Sequence, residues 1–572
     1  MRDPPRERPL YLTGLHSTCF AVAHEPTVVP STGTGVLLCA PFGWDDVASY
    51  RPRRAWAQAM AAAGHLVLRS DAPGSGDSAG GPADPGLLDA WCAAVTTGER
   101  WLRAAGSQRA VVVGRGMGGL VAARAAEDCG ASIDGLVLWG VPQSGRAAVR
   151  RLRVSSRLQA DQLAEPGGGL PDGWLEVGGH VLSAETLDAL DRLTLRQPVS
   201  RVLVLERPGV AADVRLAEVR GAARATVARA PGPGYEQMVE HPQTSVEPLE
   251  AMSAVARWLA DVADAGTAGR VVRATSAAEL ALPAHAARET PVAIPHGGNF
   301  LTGVLTTPTR PSAARVGAVF FNAGAIRRIG PNRLWTETAR RWAASGVTSL
   351  RLDFDGIGDS GSPSGPLSTP SFYVADLLAQ GRTAVDWITA HADVERVLTV
   401  GLCAGGRIAF GLAAEDRRVA TAVVVNATAL TWDRNLEITQ TPPGPRLLFR
   451  SGYLRGSADA RRTMPRDFAR WSTATARREA TFRATRRRIE RLLDATRAHD
   501  TRIVLALNEG EPEQLRLVSS RNRWRLRRWP NVEIARIPST DHALRPVLAQ
   551  LELRRILDEA LRRELSRRAF GR

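Results

Sequence analysis

The sequence predicts two tandem α/β domains, each with a mostly parallel sheet flanked by helices. Short apolar runs of strand length alternate with helical patterns, as in parallel β-α units. The same order of runs and loops occurs twice, and the loop at residues 71–78 matches the loop at 353–360. At 572 residues the chain is also too long for one ordinary core. We therefore expect a tandem duplication of one fold.

In the first half, alternating apolar segments near Tyr11 and Phe20 predict two antiparallel strands ahead of the β-α units. The units that follow comprise strands at 35–39, 66–68 and 110–113, helices at 56–63, 85–104 and 120–128, and a glycine-rich turn at 114–118. The second half predicts strands at 318–321, 348–352, 422–426, 502–507 and 532–537, and a helix at 334–344.

The expected domain boundary lies in an Ala- and Thr-rich stretch without a periodic pattern. We assign residues 1–262 to the first domain, 263–288 to a linker and 289–572 to the second domain. Residues of about 430–498 form an insertion that is too long for a plain loop and is rich in Arg and helix formers. A helical cap over a site is the expected structure of this insertion.

Composition narrows the function classes. The N-terminus has no apolar leader and no apolar run approaches the roughly 18 residues of a membrane span, so we expect a cytoplasmic protein without a membrane partner. The five cysteines are scattered, with no CxxC or Cys/His spacing. This pattern predicts neither a disulfide framework nor a metal site, and no sequence motif indicates a cofactor.

The net charge of +16 comes entirely from arginine, because the chain has no lysine. Residues 446–497 hold 15 arginines against 5 acidic residues. Basic residues are not interleaved with aromatic ones and no readout motif occurs, so no specific nucleic-acid partner is expected. The segment would suit an anionic partner such as an acidic acyl-carrier protein or coenzyme A, although a solvated Arg-rich helix surface is the simpler explanation.

The motif that carries chemistry is Gly-Leu-Cys-Ala-Gly at 401–405, between an apolar strand and a helix-forming segment at 407–415. A nucleophile on such a sharp strand–turn–helix connection, called a nucleophile elbow, is exposed at the end of the sheet. Gly401 and Gly405 leave out side chains where the turn meets its neighbours. Cys403 is therefore the candidate nucleophile.

The order nucleophile, acid, histidine is completed by residues that follow later strands. His542 lies just beyond the strand at 532–537 and is the candidate base. Glu511 is the chosen acid, after the strand at 502–507; Glu509 and Asp433 remain open alternatives. The imidazole would take the thiol proton, and the carboxylate would orient the imidazole and stabilise its charged form.

An oxyanion that develops during acyl transfer needs two fixed N–H donors. The backbone N–H of Ala404, at the start of a helix, is one candidate. The other comes from Gly324-Ala325, after the first parallel strand of the second half, and we choose Ala325.

On these residues the second half resembles the α/β-hydrolase superfamily over about 280 residues. The run 322–333 (NAGAIRRIGPNR) together with 401–404 (GLCA) is similar to one of two hydrolases that accompany exosortase-linked polysaccharide systems. The first half resembles the companion hydrolase. The resemblance implies an α/β-hydrolase fold in both halves, and it implies no particular substrate.

The first half has lost the nucleophile at its own elbow, where Gly116 stands. Its chain carries Tyr235 where a base would follow the strand near 226–229, and the nearest histidine is His241. The run Gly76-Asp-Ser-Ala-Gly80 fits G-x-S-x-G, but no helix-forming segment follows it. We expect a turn there, with Asp77 and its counterpart Asp359 bonded to local backbone amides, and we expect a non-catalytic first domain.

Two functions follow from this reading. The first is a Cys-dependent acyl-transfer enzyme (hydrolase, thioesterase, acyltransferase or cyclase) that acts on a small ester or thioester through an acyl-Cys403 intermediate. The second is a binding or scaffold protein built from two degenerate hydrolase folds, which Gly116 makes plausible. The chemistry at Cys403 distinguishes them.

Overall fold

The computed structural model describes most of the chain. The described residues are 7–14, 17–28, 31–128, 132–163, 169–195, 199, 201–211, 226–262, 276–361, 376–427, 430, 486–509 and 526–567.

The first half contains an eight-stranded sheet in the order β1-β2-β4-β3-β5-β6-β9-β10. The β1–β2 and β2–β4 pairs are antiparallel, and all other neighbours are parallel. The early antiparallel strands and the β-α units are as predicted. The strands are β1 Glu7–Thr13, β2 Thr18–His24, β3 Thr34–Cys39, β4 Leu66–Ser70, β5 Arg109–Arg115, β6 Gly135–Trp139, β9 Arg201–Glu206 and β10 Thr226–Pro231, with a separate hairpin of β7 Leu175–Val177 and β8 His180–Leu182.

The second half contains a nine-stranded sheet in the order β11-β12-β13-β15-β14-β16-β17-β18-β19. From β12 onward this order repeats that of the first sheet, with antiparallel pairs at one edge and parallel pairs elsewhere. The strands are β11 Leu280–Leu282, β12 Ala287–His296, β13 Asn299–Pro308, β14 Val316–Phe320, β15 Thr348–Leu352, β16 Arg396–Leu402, β17 Val419–Val425, β18 Arg502–Asn508 and β19 Val532–Ile537.

The end of the expected linker belongs to the second sheet. β11 pairs antiparallel with β12, and a short 3₁₀ helix, Pro283–His285, connects them. Ala277 forms an isolated antiparallel bridge with Tyr11 of the first half. The sequence assigned residues 276–288 to the linker because a strand of three residues is too short to show a periodic pattern.

Helices cover both faces of each sheet, which explains why the parallel strands are apolar on both sides. One face of the first sheet packs around Trp91 and Leu120 and the other around Trp56 and Leu259. In the first half the helices are α1 Trp44–Ala48, α2 Tyr50–Ala62, α3 Leu87–Ala104, α4 Met117–Asp128, α5 Gly145–Leu163, α6 Ala184–Asp191, α7 Tyr235–Val239 and α8 Leu249–Val262.

The second sheet has a core around Ile408 on one face and around Trp335 on the other. Its helices are α9 Leu334–Ala343, α10 Asp376–His391, α11 Ala404–Glu415, α12 at 486–498 and α13 Val547–Ser566, with a 3₁₀ turn at Pro331–Arg333. Among the helices that the structure describes, none combines the length and the apolar character that crossing a membrane requires.

Most of the expected cap lies outside the described residues. Of 430–498, the structure describes only Leu430 and 486–498. Ile489 and Leu493 of α12 are buried in the core around Ile408, so this end of the insertion packs as a core helix.

The two halves meet through reciprocal ion pairs between equivalent residues. Arg351 of β15 pairs with Asp77 of the first half, and Arg69 of β4 pairs with Asp359 of the second half at 2.8 Å. All four side chains are buried. Each half therefore supplies the counter-charge for a buried arginine of the other.

Candidate active site

Cys403 lies on a strained turn between β16 and α11. Its φ is 57° and its ψ is −117°, a region that non-glycine residues rarely occupy, and such strain is concentrated at functional sites. The backbone N–H of Cys403 donates to the carbonyl of Val425 at 2.9 Å, which anchors the turn on the neighbouring strand. The position thus has the backbone of a nucleophile elbow.

The two glycines of the motif are required by close backbone contacts. A Cβ on Gly401 would clash with the backbone of Gly405, and a Cβ on Gly405 would clash with the carbonyl oxygen of Asn322. The strand, the helix and the loop after β14 are therefore pressed together at the turn.

Exposure separates Cys403 from the other thiols. Cys19, Cys39 and Cys92 are buried, as expected for small apolar residues, whereas Cys403 is partly exposed. Burial raises the pKa of Cys19 and of Cys39 to about 12, so these two thiols stay protonated at neutral pH. Among the described cysteines, Cys403 alone reaches solvent.

The candidate oxyanion donors, Ala404 and Ala325, belong to the helix and the loop that meet at the contact between Gly405 and Asn322. Ala404 is the first residue of α11, where backbone N–H groups have no partner within the helix. Ala325 lies in the loop after β14, next to Gly324, whose φ is 56°. That loop is braced from within, because the amide of Asn322 donates to the carbonyl of Ile326 at 3.0 Å.

His542 lies beyond β19 and is half-buried. Its carbonyl accepts a hydrogen bond from the side-chain amide of Asn426 at 2.9 Å. Asn426 directly follows Val425, whose carbonyl accepts from the backbone N–H of Cys403. The side-chain oxygen of Asn426 accepts from the backbone N–H of Asn508 at 2.9 Å. Asn426 thus ties the histidine loop and the end of β18 to the strand beside the elbow.

Asn426 is a site residue that sequence reasoning missed. It is buried and has a φ of 43°, a left-handed conformation that asparagine tolerates better than most residues. The sequence feature that could have indicated it is a polar asparagine directly after the apolar strand run at 422–425.

Of the three candidate acids, the structure describes only Glu509. Glu511 and Asp433 lie outside the described residues. Glu509 is exposed, and its backbone N–H donates to Ser539 at 2.7 Å. Asp541, adjacent to His542, is held by the guanidinium and backbone N–H of Arg545. The acid therefore remains a prediction.

The first half has the same turn without the nucleophile. Gly116 has a φ of 52°, and its N–H donates to Trp139 at 3.0 Å, as Cys403 does to Val425. A Cβ on Gly118 would clash with the carbonyl of Ala40, which reproduces the contact of Gly405. The elbow backbone is preserved there.

Tyr235 fills the space that a nucleophile side chain would use at this second elbow. Its hydroxyl lies 3.1 Å from the point where a Cβ on Gly116 would stand, and it donates to Asp45 at 3.1 Å. Burial, followed by the Asp45 carboxylate, raises the pKa of Tyr235, so the phenol stays protonated. His241 lies elsewhere, exposed and tilted against Trp44.

The Gly76-Asp-Ser-Ala-Gly80 run is a turn, as expected. Ser78 donates to the carbonyl of Asp71 at 2.8 Å and accepts from the backbone of Phe20. The expectation that Asp77 and Asp359 bind local amides is wrong, because Asp71 and Asp353 bind those amides instead. The carboxylates of Asp77 and Asp359 are directed to arginines across the boundary between the halves.

Residues that follow the Ala325 loop are held by the first half. Arg327 forms two hydrogen bonds to Asp71, at 3.0 and 2.8 Å, and stacks on Tyr50 at 4.1 Å. Arg328 pairs with Asp77 of the first half at 2.9 Å, and with Asp353 and Asp359 of its own half at 2.6 and 2.9 Å. Burial opposes the charged form of both guanidinium groups, but the carboxylates raise their pKa well above the ordinary value.

A well-formed cavity does not include Cys403 among its lining residues. It lies beside the turn at Gly116, between the first and second halves, and has a volume of about 120 Å³. Within the described part of the chain, no group of three or more His, Cys, Asp and Glu residues could hold a metal ion.

Residues 49–157 match the Hydrolase_4 family, described as serine aminopeptidase, S33. The match covers the first elbow and supports an α/β-hydrolase relationship for that stretch. No curated protein matches the chain.

Three solved structures illustrate the similarity. The esterase Pf2001 of Pyrococcus furiosus is 14% identical, with a TM-score of 0.31, and the alignment covers 50% of this chain and 96% of that chain. The haloalkane dehalogenase DatA of Agrobacterium tumefaciens is 16% identical, with a TM-score of 0.30 and coverage of 48% and 97%. Est1E of Butyrivibrio proteoclasticus is 15% identical, with a TM-score of 0.30 and coverage of 47% and 99%.

Proposed function

We propose that the protein is a Cys-dependent hydrolase-type enzyme that transfers acyl groups from a small ester or thioester through Cys403. The observation that carries the proposal is the strained, partly exposed position of Cys403 between β16 and α11. A strained residue at the end of a central strand is costly, and the cost is retained where it presents a reactive group.

The proposed reaction has two steps. His542 takes the proton of Cys403, and the thiolate attacks the carbonyl carbon, so that a C–S bond forms. The tetrahedral oxyanion is stabilised by the N–H groups of Ala404 and Ala325 and then expels the alcohol or thiol, which receives the proton from His542. Water, or an amine or alcohol acceptor, attacks the thioester and releases Cys403.

Glu511 remains the proposed acid that orients His542. An acidic acyl-carrier protein remains a proposed acyl donor, which the Arg-rich segment at 446–497 would bind. Most of that segment lies outside the described residues. A thioester intermediate retains more acyl-donor reactivity than an ester, so transfer to an acceptor is proposed alongside hydrolysis.

The first half is proposed to be non-catalytic and to support the loop that carries Ala325. Arg327 and Arg328 stand two and three positions after Ala325 and are bound by Asp71 and Asp77 of the first half. These buried pairs fix the backbone just beyond the proposed oxyanion donor, which is the preorganisation that oxyanion stabilisation requires.

A Cys403→Ala variant tests the proposal. We expect turnover of acyl thioesters and aryl esters to fall by at least about 10³-fold, because the nucleophile is removed. Mass spectrometry of the wild-type protein after incubation with an acyl thioester should find the acyl group on the peptide containing Cys403. Cys92→Ala, at a buried thiol away from the elbow, is the matched control.

The alternative scaffold function gives a different result. Unchanged turnover in Cys403→Ala would overturn the enzyme assignment. A thiol-reactive probe that labels Cys403 no faster than the buried cysteines would favour the scaffold.

A further inference from the structure

The cavity beside Gly116 is lined by residues of both halves. Phe42, Trp91 and Met117 line it from the first half, and Asn332, Glu337 and Arg554 line it from the second. Trp91 belongs to α3, Met117 begins α4, and Arg554 belongs to α13. The cavity is thus a feature of the complete chain.

Most of the lining is apolar. Phe42, Leu87, Trp91, Val95 and Val121 contribute apolar side chains. A dry cavity of about 150 Å³ accommodates benzene, so about 120 Å³ suits a molecule of roughly six heavy atoms. A nucleotide or a long acyl chain exceeds this volume.

The charged residues of the lining are already partnered. Glu337 pairs with Arg554, and Asp46 pairs with Arg53. Arg333 donates to the backbone carbonyls of 76, 78 and 80. An ionised ligand would find no unpaired opposite charge among these residues, which favours an uncharged one.

Two polar atoms of the lining residues are buried without a hydrogen-bond partner in the described part of the chain. They are Nε2 of His180, on the hairpin β7–β8, and Nε of Arg554. An unpaired buried polar atom is unfavourable, and a ligand that binds it recovers that free energy. Burial lowers the pKa of His180 to about 4, so the imidazole is neutral at pH 7.

Two residues of the lining carry hydrogen-bond donors that are relevant to a ligand. Nε of Arg554 is a donor only, and Met117 is the first residue of α4, where the N–H has no helical acceptor. The neutral imidazole of His180 can donate or accept. The carbonyl oxygen of a ligand can accept from these donors. In the tautomer of His180 whose Nε2 is an acceptor, an N–H or O–H next to that carbonyl can donate to it.

We propose that this cavity is a non-catalytic binding site for a small, uncharged, largely apolar carbonyl compound, such as a short-chain primary amide. With Gly116 at the elbow and Tyr235 beside it, the site holds the ligand without forming a bond to it. The site is independent of the reaction proposed at Cys403.

Butyramide is a suitable probe, with butyrate and butylamine as charged compounds of the same length. Saturation-transfer NMR on the full chain, which detects millimolar binding, should show butyramide bound and the two ions unbound at pH 7. The same result is expected on Cys403→Ala, so the test does not depend on turnover.

Two variants locate the binding. Ala94→Phe fills the cavity and should abolish the butyramide signal, whereas Ala93→Phe, on the same helix but outside the lining, should retain it. His180→Phe keeps a ring of similar size and should weaken binding by roughly 3- to 10-fold, as expected for one neutral hydrogen bond.

The proposal is overturned if wild type binds none of the probes, if butyrate binds as well as butyramide, or if Ala94→Phe binds as wild type does. If Ala94→Phe fails to fold by circular dichroism, the His180→Phe comparison decides. Equal affinity of His180→Phe and wild type then contradicts the assignment.

Discussion

At the scale of single residues, the two elbows differ in what occupies the space above the same turn. In the second half this space holds the Cys403 side chain. In the first half it holds the hydroxyl of Tyr235, which is donated to Asp45. A side chain restored at Gly116 would therefore meet the phenol of Tyr235 rather than a base.

Gly405 gives a residue-scale prediction about the elbow. In Gly405→Ala the new methyl group clashes with the Asn322 carbonyl, so the helix and the loop must separate. We expect the free energy of unfolding to fall by about 1–3 kcal/mol and acyl transfer to fall more than tenfold. Urea unfolding and ester turnover measure the two effects.

Gly411→Ala is the matched control in the same helix. There a new Cβ would meet only the flexible end of Leu378. A control that loses as much activity as Gly405→Ala would show that the close contact at Asn322 is not what matters.

At the scale of elements, the loop after β14 connects the sheet of the second half to the surface of the first. Its start touches the elbow helix at Gly405, and its end places Arg327 against Asp71. A change in the first half therefore reaches Ala325 through only a few residues of backbone.

Asp71→Asn tests this element. It leaves the buried Arg327 charge without its bidentate partner, which costs about 3–5 kcal/mol of stability. We expect kcat for ester turnover to fall about tenfold or more, while alkylation of Cys403 by iodoacetamide keeps its rate, because alkylation needs no oxyanion donors. Both are measured at a temperature at which circular dichroism shows a folded protein.

Asp558→Asn is the control for Asp71→Asn. Asp558 pairs with Arg341 at the half-exposed surface, and such pairs contribute about 1 kcal/mol or less. An unchanged kcat in Asp71→Asn would contradict the positioning role of the first half.

At the scale of the whole molecule, stability should decrease as the pH falls below about 6.5. Burial, followed by the charge of Arg69, lowers the pKa of His24 well below its ordinary value, and burial lowers that of His180 to about 4. The unfolded histidines bind protons near pH 6.5 and the folded ones do not, so acid favours unfolding. For His24 we expect about 2 kcal/mol between pH 6.5 and 5, at about 1.4 kcal/mol per pH unit.

Urea unfolding at pH 7 and pH 5 measures this dependence. His24→Gln should reduce it, and His391→Gln, at an exposed position, should not. Equal pH dependence in His24→Gln and wild type would contradict the argument. At pH below about 4, protonation of Asp77 and Asp359 removes further stability, because their pKa values are depressed in the folded state.

Much of the fold was predictable because it is encoded locally. Apolar runs of strand length, helical periodicity and the glycines around Cys403 are visible within a few residues of sequence. The contacts of Asp77 with Arg351 were not predictable, because sequence does not show which surfaces of two domains meet. For the same reason the hydroxyl of Tyr235 at Gly116 and the link from Asn426 to the histidine loop appear only in three dimensions.

The reciprocal ion pairs give the first half a structural role in the second half that does not depend on catalysis. Replacing Asp77 would remove one of the two buried carboxylates that pair with Arg351 of the other half and leave only Glu289. Such a change weakens a buried charge network, so we expect Asp77 and Arg351, like Arg69 and Asp359, to be substituted together more often than separately. The ion pairs to the second half therefore constrain the sequence of a half that has no nucleophile at its elbow.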